Sequence, residues 1–250
     1  MSNYDPNYAA AQRGVSTDRV AVDIDQGLRA HMLKVYNYMA LGVAGTAIVS
    51  LFLMNNIPLL RTLTGGPMIW VWFVAILGLG FFAPRLMFSR NAFLAHLCFW
   101  LYAGAWGVII SPMIVRFFAI NAGDLVFRAL AITAVTFGAT SLYGYVTKRD
   151  LTGFSSFFVM GSIGLLVAIV VNALFFKSTM MSFITSSLVV LLFAGVTAWE
   201  TQQIKEMYYE NDGTATMSSK AIFGAFMLYG SFVTLFVHIL NLLGIMRGSD

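Results

Sequence analysis

Seven stretches of this sequence run 19 to 26 residues without a single Asp, Glu, Lys or Arg. They are residues 35–60, 62–84, 91–115, 129–147, 151–176, 178–199 and 221–246. A helix needs roughly 20 apolar residues to cross about 30 Å of hydrocarbon, so each stretch suffices or nearly so. Each is also too long and too uniformly apolar to be the buried stripe of a soluble helix. The alternating segments of about ten residues that mark a β-barrel are absent. The chain is therefore expected to be an all-α integral membrane protein with seven transmembrane helices. The expected spans are 36–54, 68–83, 92–115, 126–146, 154–176, 181–199 and 222–246.

Composition agrees. Of 250 residues, 59% are hydrophobic and 10% charged, against about 25% charged in soluble domains, which excludes a water-soluble globular fold. The single Cys98 excludes an intrachain disulfide framework and a multi-thiolate metal site. The excess of 15 Lys and Arg over 11 Asp and Glu is small. In so apolar a chain it reports topology rather than nucleic-acid binding.

The breakers support the spans. Pro58, Gly65, Gly66 and Pro67 frame the first loop, Pro84 follows the second span, and Pro112 is placed to kink the third. Lys177 is the only charge between the fifth and sixth spans, so a tight turn is expected there. Ten of the 15 basic residues fall on one side if the N-terminus is inside, which predicts a cytoplasmic N-terminus and an outward C-terminus. Residues 1–34 read as a polar cytosolic tail without the apolar core of a signal peptide, and residues 35–247 as the transmembrane domain. Within the tail, Asp23 to Lys34 is a candidate amphipathic surface helix.

Polar groups inside a bilayer are costly and each needs a reason. In the last span Ser231, Thr234, His238 and Asn241 recur at three, four and three residues, one narrow helix face. Two readings fit: a helix lining a polar path, or a buried helix hydrogen-bonded to its neighbours. Glu200 ends the sixth uncharged run. It is placed either to gate with pH and hold a cation, or to sit at a helix end paired with Lys205. Arg85 and Arg90 are further candidate partners. Asn172, Thr133, Thr136, Thr140 and Ser141 are expected to be interhelical glue, and Ala103 with Gly107 and Gly161 with Gly164 to be close-approach faces. Trp70, Trp72, Tyr143, Tyr145 and Trp199 fit an interfacial aromatic belt.

Enzymatic chemistry finds little support. No span contains the lysine a retinal protein needs, His31, His96 and His238 are dispersed, and no P-loop is present. The run Gly161-Ser162-Ile163-Gly164 with His238 is a faint serine-protease signal. No enzyme activity and no resident cofactor are expected.

The run Gly195-Val196-Thr197-Ala198-Trp199-Glu200-Thr201-Gln202-Gln203-Ile204-Lys205-Glu206-Met207-Tyr208 resembles the sixth-helix signature of the Bax inhibitor-1 family. The ending Leu228-Tyr229-Gly230-Ser231-Phe232 through His238 to Ile245, and Gln26 to Met39, are similar to bacterial members. The resemblance covers about residues 25–247. It implies a last helix wrapped by the other six and a pH-sensitive calcium leak channel in the bacterial inner membrane. In that channel two aspartates share a proton and latch the pore, assisted by an arginine. The first aspartate matches Glu200, the second Ser231, and the arginine Arg90 or Arg85; Thr234, His238 and Asn241 would line the pore. Serine at 231 removes a titratable group, so a shared-proton pair cannot form, and Glu200 alone remains as a Ca²⁺ ligand. The resemblance also implies a rival: a non-conducting modulator that binds a membrane-anchored AAA+ protease through its tail.

Overall fold

The computed structural model describes residues 6–88 and 92–248, with side chains from Gln26 onward except Ala92. Among the described residues there is no strand. The helices are α1 (Pro6–Met54), α2 (Ile57–Thr64), α3 (Met68–Met87), α4 (Ala92–Ala119), α5 (Gly123–Val146), α6 (Ser155–Val171), α7 (Thr179–Glu206) and α8 (Thr214–Arg247). All but α2 are long and apolar enough to cross a membrane, α6 together with the helical turns on either side of it (Thr152–Phe176).

Most helices outrun the uncharged stretches that predict them. α7 continues through Glu200 to Glu206, and α3 carries Pro84 and Arg85 in a last turn ending at Met87. Charges at a bilayer boundary reach water by extending their side chains, so they need not end the helix. The segment 23–34 is not a separate surface helix but part of α1. The first loop also holds α2. Its Pro58 lies in the first turn, where no backbone hydrogen bond is lost, and Gly66 takes the left-handed turn beyond it (φ 53°).

The expected tight turn is present. One π-helical turn, Asn172–Phe176, ends α6, and Lys177 follows in the left-handed region (φ 50°). Asn172 organises it: Nδ2 donates to Ser178 O (3.1 Å) and Ser182 Oγ (2.8 Å), and Oδ1 accepts from Ser178 N (3.0 Å). Asn172 is thus interhelical glue, as expected.

The last helix is central. α8 is the most buried span and α6 the least. α8 packs against α1, α3, α4, α5 and α7, whereas α6 packs chiefly on α7. The sixth neighbour therefore belongs to an outer layer. The Ala103–Gly107 face works as expected: Thr46 Oγ1 donates to Ala103 O (3.0 Å), and Ser50 Oγ to Gly107 O (3.1 Å). A Cβ on Gly107 would lie 2.8 Å from Val49 Cβ. Tyr229 Oη of α8 joins Thr46 Oγ1 at 2.5 Å, tying α1, α4 and α8 in one polar node.

Other expectations are corrected. Thr133 and Thr140 bond back to carbonyls of their own helix, Ala129 and Thr136; hydroxyls in a helix reach the preceding turn more easily than a neighbour. Only Ser141 crosses, meeting Tyr36 Oη (2.6 Å) and Thr201 Oγ1 (2.9 Å). Trp199 is partly buried, its ring against Phe158 of α6. Gly161 approaches Leu192 of α7, but Gly164 faces open space.

The closest backbone approach yields a test. A Cβ on Gly144 of α5 would sit 2.1 Å from the Ala198 carbonyl oxygen of α7. Gly144→Ala should cost about 1–3 kcal/mol and lower the melting temperature in micelles. Gly164→Ala, with nothing within 4 Å, should be neutral or gain roughly 0.5–1 kcal/mol from helix propensity. Equal melting of the two variants would contradict this packing.

Candidate functional site

The polar face of α8 meets α7 at two places. At the first, Ser231 Oγ donates to Glu200 Oε2 at 2.6 Å. Ser231 is 2% exposed and lies near the middle of α8. Glu200 is therefore inside the helix bundle, not at a helix end. Lys205 does not pair with it; Lys205 Nζ donates to Tyr145 O (3.0 Å) and lies over the Tyr145 ring. On a helix, five residues of separation turn the two side chains to different faces. Arg85 is exposed at the end of α3 and forms no ion pair with Glu200. Arg90 lies outside the described residues.

At the second place, Ser186 of α7 receives two groups. His238 Nδ1 lies 3.0 Å from Ser186 Oγ, and Asn241 Nδ2 donates to the same oxygen at 2.9 Å. Thr234 takes no part: its hydroxyl donates to Gly230 O of its own helix (2.8 Å). The serine–histidine contact that forms thus involves Ser186, not Ser162. Ser186 is not distinguishable in sequence, since Ser182, Thr185, Ser186 and Ser187 look alike.

A cavity of about 830 Å³ lies beside this second contact, between α4, α6, α7 and α8. It opens at the bundle end that carries the α8 C-terminus, among exposed Arg116, Lys177 and Gly248. Asn172, Ser182, Ser186, His238 and Asn241 give its polar lining. His238 and Asn241 thus bond to α7 and also line this cavity, whereas Thr234 does not line it. Neither Glu200 nor Ser231 lines the cavity. Its floor is separated from them by the two helical turns of α8 between His238 and Ser231.

Among the described residues no three His, Cys, Asp or Glu side chains cluster to hold a metal. At Glu200 a hydroxyl stands beside one carboxylate, whereas a Ca²⁺ ion takes six to eight oxygen ligands, roughly. The site is chemically a hydroxyl–carboxylate hydrogen bond joining α8 to α7.

This bond has a measurable consequence. Ser231→Ala leaves Glu200 Oε2 without its donor and should cost about 1–3 kcal/mol. Thr234→Ala removes only a bond within α8 and should cost clearly less. Thermal melting of both variants in micelles compares them; equal losses would show that the α7–α8 contact carries no special weight.

Known proteins resemble this chain along nearly its whole length. A Rickettsia prowazekii (strain Madrid E) protein, RP147, is 40% identical over 220 residues, covering 88% of this chain and 91% of its own. A Caulobacter vibrioides protein is 35% identical over 255 residues, covering 98% of each. The Escherichia coli (strain K12) inner membrane protein YbhL is 31% identical over 221 residues, covering 87% of this chain and 92% of its own. Residues 28–248, which contain all seven membrane-crossing helices apart from the start of α1, match the family described as Bax1-I, inhibitor of apoptosis-promoting Bax1. This chain belongs to that Bax inhibitor-1 family.

Proposed function

We propose that the protein is a gated cation leak of the bacterial inner membrane, with calcium as the permeant ion and the Glu200–Ser231 contact as its closed gate. The name of the Escherichia coli relative and the seven apolar helices support the membrane. The observation that carries the reading is the placement of Glu200. Its carboxylate is bonded across two packed spans opposite the middle of α8, and it lies beyond the floor of a polar cavity open at one end of the bundle. A path through the protein would need α7 and α8 to separate there, which breaks the Ser231–Glu200 bond. With serine in place of a second carboxylate, gating involves one proton and not a shared one.

The test is calcium flux into proteoliposomes between pH 5 and 8. Wild type should leak with a pH dependence no steeper than a single titration. Glu200→Gln should flatten that dependence, and Ser231→Asp should steepen it by restoring a carboxylate pair. Silence in all three proteins at every pH would end the reading.

One observation favours the protease-modulator reading. α1 has 49 residues, about 73 Å at 1.5 Å per residue, so it outreaches a hydrocarbon core of about 30 Å. On the expected orientation its N-terminal turns extend toward the cytoplasm as a surface for a membrane-anchored AAA+ protease. Deleting residues 2–24 should then abolish co-purification with that protease and leave the membrane domain folded. Undiminished co-purification would rule this reading out.

A further inference from the structure

We propose that the cavity between α4, α6, α7 and α8 binds a phosphate-bearing anion, held by Arg116 and Lys177 at its mouth. The first observation is the sign of its charge. Arg116 and Lys177 line the cavity, and no Asp or Glu does. Neither cation makes a salt bridge with a described residue. At the same end of the bundle Arg128 and Arg247 are already held by Asp124, at 3.3 and 3.6 Å. Among the described residues, the acid at that end is therefore already paired with other partners.

The second observation is what stands behind the cations. α7 begins at the cavity wall, with Thr179 and Ser182 in the lining. The positive end of a helix dipole adds to the two formal charges. Deeper in, Asn241 and His238 provide polar groups. Lys177 is held in place by its backbone: its N–H donates to Asn172 O at 2.7 Å, and its φ of 50° closes the π turn.

The third observation is size and polarity. About 830 Å³ is in the upper range of small-molecule sites, roughly 300–1,000 Å³. Pro112, Met113, Ile169 and Ile245 form apolar walls next to the cationic mouth. Such a space accepts an amphiphile with an anionic head. A free phosphate and an anionic phospholipid headgroup share the required chemistry, since Arg and Lys both pair with phosphate oxygens. Among the described lining residues no carboxylate is present to retain a divalent cation there. The proposal holds whether or not the protein conducts.

The test uses the full chain in nanodiscs. Inorganic phosphate is titrated by calorimetry in discs of phosphatidylcholine, which carries no net charge. In parallel, retention of phosphatidylglycerol is read by native mass spectrometry from mixed discs. Wild type should bind at least one of the two probes. R116Q/K177Q should weaken that binding by roughly tenfold or more, the loss expected for charge-assisted hydrogen bonds. R61Q removes another exposed cation that does not line the cavity and should leave binding unchanged. Melting temperature and circular dichroism establish that each variant is folded. Phosphate binding identifies a soluble ligand, and phosphatidylglycerol retention identifies a lipid. The proposal is overturned if wild type binds neither probe, or if R61Q weakens binding as much as the double variant.

Discussion

Everything in this bundle depends on how α8 satisfies its polar side chains in a place without water. A helix surrounded by five others has no lipid-facing side on which to discard a serine, a histidine or an asparagine. Each must find a partner on a neighbour or on its own backbone, because an unsatisfied polar group in hydrocarbon costs several kcal/mol, roughly. α8 does this mostly through α7: Ser231 with Glu200, and His238 and Asn241 with Ser186. Tyr229 does the same toward α1 and α4 through Thr46. These contacts fix how α8 is rotated about its axis, which apolar packing alone does not specify.

That rotation places the chemistry. With Ser231 turned to α7, the same face two turns further on borders the cavity, and the C-terminal turns of α8 meet the cationic mouth. The two polar contacts then have different surroundings. Ser231 is buried and Glu200 partly buried between packed helices, while Ser186, His238 and Asn241 border open space. A serine–glutamate hydrogen bond and a cavity with a cationic mouth therefore occupy successive levels of one helix pair.

Much of this architecture is legible in the residues. The number of spans follows from the spacing of charges, since hydrocarbon excludes charge over a fixed thickness. The close approach of α1 and α4 is legible at Ala103 and Gly107, because small residues are what closeness requires. The turn after Asn172 is legible from one lysine and a length limit. The position of Glu200 was not legible as lying inside the bundle: a helix does not stop at a charge that has a hydrogen-bond donor across the interface. Thr133 and Thr140 show the reverse error, since hydroxyl residues in a span look alike whether they bond outward or back to their own helix.

The sequence by itself determined the class, the seven spans and the residues of the polar stripe, because those follow from hydropathy and helical period, which are local. Only the tertiary structure decided which partner each stripe residue meets, that Ser186 is the common acceptor, that Thr234 is not exposed to the cavity, and that Arg116 and Lys177 converge on one space. Those facts rest on the rotation and crossing of helices whose contacting residues lie more than thirty positions apart in the chain. No local pattern encodes them; they are set where the packed helices satisfy one another's polar groups.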